Sequence, residues 1–150
     1  FIRKYEINKA TPGANLIVEI NSFSYKKGLP SDASNNGGGF IFDCRSILNP
    51  GRFEAYKKLT GKDKPVSNFL VNNEGMEKFL QNVKELVGQS VENYLERDFS
   101  NLQVNFGCTG GQHRSVFCAE ALNKYLKNKY GVKTILNHNN EINWPKVDAL

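Results

Sequence analysis

The sequence predicts an α/β fold: a sandwich in which helices flank a mainly parallel sheet, with a phosphate-binding loop at a strand-to-helix turn. Short apolar runs alternate with longer segments whose apolar residues recur at three- and four-residue spacing, and this alternation is typical of a parallel sheet. Clusters of turn-forming residues separate these segments. The chain has 150 residues, 39% of them hydrophobic, which is enough for one domain with a buried core.

The first part of the chain predicts two strands joined by a long loop. Residues 14–25 are expected to form a strand, because apolar residues alternate there at the spacing of a half-buried strand. Residues 28–39 are rich in glycine, serine and asparagine and predict a surface loop. Residues 40–44 are a short apolar run that predicts a buried strand, which delivers Asp43 and Arg45 to its carboxyl end.

The middle of the chain predicts a long amphipathic helix after an irregular segment. Residues 46–66 are expected to be mostly irregular, with one short helix at about residues 53–59. Residues 74–99 are expected to be helical because their apolar side chains recur at three- and four-residue spacing. These side chains are Met76, Phe79, Leu80, Val83, Leu86, Val87, Val91, Tyr94 and Leu95.

The last part of the chain predicts a strand, a helix and a final strand. Residues 102–106 are the expected third strand and residues 115–130 the second long helix, which Gly131 is suited to end. Residues 132–136 are the expected last strand, and residues 137–150 are weakly patterned.

Composition and cysteine usage restrict the class of protein. No repeat or linker divides residues 14–150, which are expected to form a single domain. A Walker A domain is not expected within the chain. Because the chain begins with Phe1, residues 1–13 are expected to be a leader from an upstream region. The three cysteines form no CxxC pair, so a disulfide framework or zinc site is not expected and a reducing cytoplasm is favoured. No apolar run is long enough for a membrane span, and no cofactor is expected.

The turn between the third strand and the second helix carries the candidate site, 107-GCTGGQHRS-115. Free N–H groups at a helix start attract anions, glycines let the backbone approach a ligand, and an arginine can grip phosphate through two parallel hydrogen bonds. Ligands bind beyond the carboxyl ends of parallel strands, where Asp43 and Arg45 also emerge. The candidate phosphate-binding residues are Asp43, Arg45, Thr109, Gly110, Gly111, Gln112, His113, Arg114 and Ser115.

Two other interpretations of this turn remain open. It can be a tight turn without a ligand, or it can be catalytic, since Cys108 and Arg114 have the C-x5-R spacing of cysteine-dependent phosphatases. Gly107 stands where those enzymes usually carry histidine, and no aspartate is clearly placed to protonate a leaving group; the aspartates considered are Asp43, Asp63 and Asp98. An ATP-binding Walker loop is excluded, because the pattern GxxxxGK[ST] is missing from the chain.

The charge distribution permits an anionic macromolecular partner. The net charge is +5, and residues 121–140 contain lysines but no acidic residue. The candidate RNA-binding residues are Lys26, Lys27, Arg52, Lys124 and Lys127. Solvated surface lysines are the alternative explanation for these positions. A protein partner, a homo-oligomer and an upstream fused domain are open as further associations.

Several stretches together resemble the C-terminal domain of the RapZ/YvcJ family of bacterial regulators. They are 22-SFSYKKGLPSDA-33, 41-IFDCRSILNP-50, 60-TGKDKPVSNFL-70 and 107-GCTGGQHRSVFCAEAL-122. The resemblance covers most of residues 14–126 and implies an α/β domain similar to part of a sugar-phosphate kinase. It also implies a regulator that presents a small RNA to a ribonuclease, binds RNA through this domain and senses glucosamine 6-phosphate. In the binding pocket that the resemblance implies, Asp43 would pair with the amino group of this ligand and Arg45 with its phosphate.

The chain departs from the family pattern at three places. Gly51 follows Asn49-Pro50 where many members have histidine, which removes one expected pocket contact. Gln112 stands where a lysine often lies, so the loop has one positive charge fewer. The segment that begins at His138 is less basic than in relatives, which predicts weaker RNA binding.

Overall fold

A four-stranded parallel sheet organises the molecule, for which the computed structural model describes residues 15–36 and 38–146. Its strands are β1 (Ile17–Ser24), β2 (Phe40–Asp43), β3 (Asn101–Cys108) and β4 (Lys133–His138). They lie in the order β2-β3-β1-β4, and each of the three pairings is parallel. The predicted α/β class with a parallel sheet is confirmed.

Three α-helices lie in the described residues: α1 (Lys64–Val71), α2 (Glu74–Glu96) and α3 (Arg114–Tyr130). Short 3-10 turns cover Tyr25–Lys27, Pro50–Arg52, Glu54–Tyr56 and Glu141–Asn143. Gly131 adopts a left-handed conformation with φ of 65° and ends α3, as the sequence predicts. Among the helices that the structure describes, none combines the length and apolar character needed to cross a membrane.

The hydrophobic core lies between one face of the sheet and the helices. Val18 and Ile20, which alternate along β1, are fully buried and share this core with Val104 and Phe106 of β3. The apolar stripes of α2 and α3 complete the core with Met76, Leu80, Val83, Val87, Val91, Cys118, Ala119, Leu122 and Leu126. The predicted periodicities of strand and helix therefore converge on one apolar layer.

The opposite face of the sheet carries buried amide side chains and the connection from β1 to β2. Asn21 is 2% exposed, and its amide donates to Asn105 Oδ1 at 2.9 Å. Gln103 Nε2 donates to the Ser31 carbonyl at 3.4 Å, so the loop after β1 crosses this face. The chain crosses the sheet in one direction from β1 to β2 and in the other direction from β3 to β4. Because connections between parallel strands are right-handed, the loop after β1 and helix α3 lie on opposite faces of the sheet.

Three local predictions need correction. Helix α1 begins within the segment expected to be irregular, residues 46–66; proline suits the first helical turn, and Val66 and Leu70, one turn apart, are buried. The short helix expected at residues 53–59 is only a 3-10 turn. The last strand extends through His138, beyond its predicted end. The predicted leader, residues 1–13, and the first residue of the predicted strand lie outside the described residues.

Candidate functional site

The predicted loop lies where the carboxyl ends of three strands meet. β3 ends at Cys108 and α3 begins at Arg114, so residues 109–113 form the turn between them. The parallel register brings Ser24 of β1 beside Cys108, and Asp43 of β2 beside Gly107. The sequence therefore folds the candidate residues from two separate segments to one edge of the sheet.

Four consecutive carbonyl groups of the turn, residues 109–112, accept hydrogen bonds from groups outside it. In chain order the donors are Ser24 Oγ at 2.7 Å, Asn140 Nδ2 at 2.8 Å, Trp144 Nε1 at 2.9 Å and the Gly61 amide at 2.9 Å. Within the described residues, no backbone N–H of residues 109–114 donates to a protein acceptor. Because a peptide is planar with its C=O and N–H opposed, anchoring these carbonyls turns the following N–H groups the other way.

Gly111 is the glycine of the turn that the geometry requires. Its φ is 62°, and a β-carbon there would lie 2.8 Å from the Ser24 nitrogen. Gly110 differs, because a β-carbon added there would meet nothing within 4 Å. Gly110 is therefore exposed at the surface of the turn, whereas Gly111 is pressed against the end of β1.

Arg114 is the most deeply buried cation of the site, with 4% of its surface exposed. One terminal nitrogen donates to the carbonyls of Arg45 at 3.0 Å and Ile47 at 2.8 Å. Its Nε is buried and has no hydrogen-bond partner among the described residues. No ion pair between described residues includes Arg114. A buried guanidinium with an unused donor is costly unless an anion or water satisfies it.

Asp43 and Arg45 form a two-pronged ion pair beside the turn. Arg45 donates from Nε at 2.9 Å and from its terminal nitrogen at 2.7 Å to the two carboxylate oxygens. Hydrogen bonding from Arg45 lowers the pKa of Asp43. The Arg45 guanidinium also lies 3.9 Å from the ring centroid of Tyr25, a residue that sequence reasoning missed. Asp43 and Arg45, which were both predicted to contact a ligand, therefore bind each other in this structure.

His113 and Gln112 connect the turn to the segment before α1. His113 Nε2 lies 2.8 Å from the Tyr56 carbonyl, which can only accept, so Nε2 carries the proton. Gln112 Nε2 donates to the carbonyls of Lys57 and Leu59 at 2.9 and 2.8 Å. Burial lowers the pKa of His113 and favours its neutral form. Both predicted site residues thus bind their own chain through these nitrogens.

Cys108 and Ser115 lie together beneath the turn. Cys108 Sγ is 3.1 Å from Ser115 Oγ, and the two residues are 2% and 0% exposed. The aspartates considered as acids are otherwise engaged: Asp43 pairs with Arg45, and Asp63 accepts the Thr60 amide at 2.7 Å. The third, Asp98, accepts from Asn15 at the amino edge of the sheet, the opposite end from the turn.

The predicted RNA-binding residues fall into two areas. Lys26 and Lys27 follow β1 directly, and Arg52 adjoins Gly51, whose β-carbon position lies 3.0 Å from the His113 ring. These three exposed residues surround the carboxyl edge of the sheet. Lys124 and Lys127 instead lie on the exposed second half of α3. In the part of the chain that the structure describes, no group of three or more acidic, histidine or cysteine side chains is arranged for a metal ion.

The segment after β4 contributes residues that the sequence did not assign to the site. Asn140 and Trp144 hold two carbonyls of the turn, as described above. His138, the last residue of β4, lies between Ser22 Oγ and Glu120 Oε2, each at 2.7 Å, and therefore connects β4 to β1 and α3. Apolar residues do not recur at regular spacing after β4, so the single tryptophan was the only sequence feature that could have indicated a role for this segment.

Comparison with known proteins agrees with this architecture. A family model described as the RapZ C-terminal domain matches residues 16–141. The chain belongs to this family. Trp144 lies just beyond the match, whereas the turn, the Asp43–Arg45 pair and Asn140 lie within it.

Related proteins of the RapZ family come from diverse bacteria and carry the name nucleotide-binding protein. A relative from Bifidobacterium adolescentis is 43% identical over 110 residues, which are 73% of this chain and 34% of the relative. Relatives from Thermosipho melanesiensis and Bacillus licheniformis are 41% and 39% identical over 121 residues, covering 81% of this chain and 41% and 39% of their own lengths. The chain thus spans about two fifths or less of these relatives.

Proposed function

We propose that this domain is a regulatory module that binds the phosphate group of a small metabolite at the turn formed by residues 109–114. The anchored turn carries this proposal: its carbonyls are engaged outside, and the N–H groups of the same peptides are left without protein acceptors. Successive free N–H groups before a helix are a recurring phosphate-binding arrangement. Arg114 adds a buried positive charge beside the turn that no ion pair between described residues neutralises.

An amino-sugar phosphate such as glucosamine 6-phosphate is the ligand that we propose for this site. A ligand amino group can replace Arg45 as the partner of Asp43, because both are cations that donate hydrogen bonds to a carboxylate. Arg45 is then free to bind the phosphate. Tyr25, stacked on Arg45, adds an aromatic surface for the sugar ring. Both cations and the carboxylate are thereby used.

Calorimetric titration of the purified chain tests this proposal. Glucosamine 6-phosphate is compared with glucose 6-phosphate, glucosamine, inorganic phosphate and a nucleoside monophosphate, the last because relatives are named nucleotide-binding proteins. The amino-sugar phosphate is expected to bind best and glucosamine not at all. Arg114→Lys, which removes Nε and the planar fork, should weaken binding by about tenfold or more. Lys133→Gln, at the amino end of β4, is the matched control.

The outcomes separate the parts of the proposal. Saturable binding that Arg114→Lys weakens by about tenfold or more, while the thermal unfolding curve is retained, supports the phosphate site. Stronger binding of the nucleotide would move the ligand class away from amino sugars. No saturable binding of any phosphate, or equal binding by wild type and Arg114→Lys, would refute the assignment of this turn.

RNA binding is the second component of the proposed regulatory role, in a reducing cytoplasm. Lys26, Lys27 and Arg52 are exposed near the carboxyl edge, where they can contact nucleic-acid phosphates. Replacing all three by glutamine should reduce affinity for a structured RNA and flatten its salt dependence, measured by filter binding at several salt concentrations. An unchanged slope would remove these residues from the proposal.

A phosphatase activity is a second candidate function, favoured by one contact. Ser115 Oγ lies 3.1 Å from Cys108 Sγ and can donate a hydrogen bond to a thiolate there. The thiolate would attack phosphorus while the ester P–O bond breaks and p-nitrophenolate leaves; water would then cleave the S–P bond, releasing inorganic phosphate and restoring the thiol. Turnover of p-nitrophenyl phosphate by the wild type, lost in Cys108→Ser, would establish it. Absence of turnover in both proteins would leave binding as the only role of the turn.

A further inference from the structure

A groove with a partly apolar floor runs along the outer side of the helical layer. One depression lies mainly between α1 and α3, and a second lies among α1, α2 and α3. Both are lined by Val71, Phe117 and Ala121, so they form one continuous groove. Val71 is 60% exposed, although the rest of its helix turns apolar residues inward. The groove is separate from the phosphate turn.

The rim of this groove is basic at one end. Lys62, which precedes α1, lines it together with Lys124 and Lys127 of α3, and all three are exposed. None of the ion pairs between described residues includes these lysines. The acidic residue beside them, Glu120, is already bonded to His138 at 2.7 Å. This end therefore presents positive charge without a local counter-charge.

Helix α3 places the apolar and basic parts of the groove in sequence. Phe117, Ala121, Lys124 and Asn128 line the groove at i, i+4, i+7 and i+11, the spacing of a single helical stripe. The stripe begins with an aromatic residue and changes to basic and polar residues one turn after Ala121. A partner lying along α3 thus meets an apolar surface first and positive charge second.

We propose that this groove binds an acidic amphipathic helix from a partner protein. Its apolar side chains would pack on Val71, Phe117 and Ala121, and its carboxylates would face Lys62, Lys124 and Lys127. This is the helix-in-groove mode, in which apolar anchors recur at helical spacing and rim charges select the partner. The partner's acidic residues cluster at the end that faces the second half of α3.

A protein segment fits this surface better than RNA does. Phosphates need cations along their whole path, whereas here Lys62, Lys124 and Lys127 occupy one end. The other end has a single lysine, Lys84, and is lined as well by Glu77 and by apolar residues such as Leu80. Phe117 is only half-buried but packs against the core, so its face is not a free stacking platform. An amphipathic helix uses both ends of the groove.

Peptide selection on the purified chain tests the proposal. Random peptides of about 16 residues, roughly 24 Å when helical, are displayed on phage and selected on the wild type. They are counter-selected on Lys124→Glu/Lys127→Glu. The expected sequences combine apolar residues at helical spacing with an acidic cluster at one end. Enrichment of basic peptides, or no enrichment over the counter-selection, would overturn the proposal.

Fluorescence anisotropy with one enriched synthetic peptide locates the binding surface. Lys124→Glu/Lys127→Glu and Val71→Glu should each raise the Kd by about tenfold or more. Lys133→Glu/Lys146→Glu, a matched reversal of two exposed lysines that do not line the groove, should leave it unchanged. Thermal unfolding of each variant shows that the fold persists, and Lys124→Gln/Lys127→Gln gives a milder substitution if it does not. Equal Kd values for the groove and control variants would refute the assignment.

An RNA arm distinguishes the two kinds of macromolecule. A single-stranded RNA of about 20 nucleotides is titrated against the same variants. The proposal requires that this RNA does not displace the bound peptide. Displacement of the peptide by RNA, with both ligands weakened by Lys124→Glu/Lys127→Glu, would make the groove a nucleic-acid site instead.

Discussion

Trp144→Phe tests how far the segment after β4 determines the phosphate binding that we propose at the turn. The substitution keeps an aromatic ring beside His138, whose ring centroid lies 5.5 Å from that of Trp144. It removes the indole N–H that donates to the Gly111 carbonyl at 2.9 Å. The peptide that joins residues 111 and 112 is then free to rotate, and its N–H loses the orientation that we propose for anion binding.

The magnitude follows from the type of bond that is lost. A neutral hydrogen bond that is partly exposed contributes about 1 kcal/mol net, which corresponds to roughly a fivefold change in Kd if the whole cost falls on the bound state. The loss in stability of the unliganded fold should be smaller, because water can replace the indole donor at this half-exposed position.

Calorimetric titration with glucosamine 6-phosphate measures this effect, with thermal unfolding recorded for the same samples. Ile142→Ala is the matched control, since Ile142 lies in the same segment and is 84% exposed. A Kd within about twofold of wild type for Trp144→Phe would show that the anchoring bond does not prepare the site. An equal loss of binding in Ile142→Ala would trace the effect to the segment rather than to the indole.

Three further predictions concern the packing, protonation and coupling of the turn. Gly61→Ala should destabilise the protein by about 1–3 kcal/mol in denaturant unfolding, because its β-carbon would lie 2.3 Å from the His113 carbonyl. Gly110→Ala, with open space around it, should change stability by less than about 0.5 kcal/mol, and equal effects would contradict this reasoning. Burial lowers the pKa of His113 in the folded protein, whereas in the unfolded chain this histidine titrates near its ordinary pKa of about 6.5. Near that pH the unfolded chain therefore binds more protons than the folded protein. The free energy of unfolding should consequently fall as the pH drops from about 7.5 through about 6.5 towards the lower pKa of the folded state. His113→Gln, whose amide can still donate to the Tyr56 carbonyl, should flatten that fall, and an unchanged pH profile would refute the assignment. Ligand binding should slow hydrogen exchange in residues 139–144 as well as in the turn, and protection confined to the turn would show that the two are uncoupled.

The main elements were predictable because each depends on a local pattern. Val18 and Ile20 alternate in β1, and the apolar stripe of α2 repeats over many turns, so burial and periodicity agree. The strand, turn and helix around the candidate loop were visible for the same reason. Helix α1 was missed because it has only eight residues and a single buried pair, Val66 and Leu70. So short a pattern cannot be separated from an irregular segment.

The arrangement of the site was less predictable, because it depends on contacts between residues far apart in the chain. The sequence marks Arg114 as a cation at a helix start, but its binding to the carbonyls of Arg45 and Ile47 depends on how the segment after β2 folds. The pairing of Asp43 with Arg45 is local, and it occupies both residues in a way that residue type alone does not indicate.

The contact at Gly61 explains why two distant signature stretches occur together. Gly61, from TGKDKPV, donates its amide to the Gln112 carbonyl, and its missing side chain makes room for the His113 carbonyl at the start of α3. His113 and Gln112 in turn hold the carbonyls of residues 56, 57 and 59. TGKDKPV therefore packs against one side of the turn in GCTGGQHRS, and the opposite side is the one that we propose for a ligand. If the turn binds phosphate as we propose, a change in TGKDKPV should alter that binding, although this stretch would not contact the phosphate.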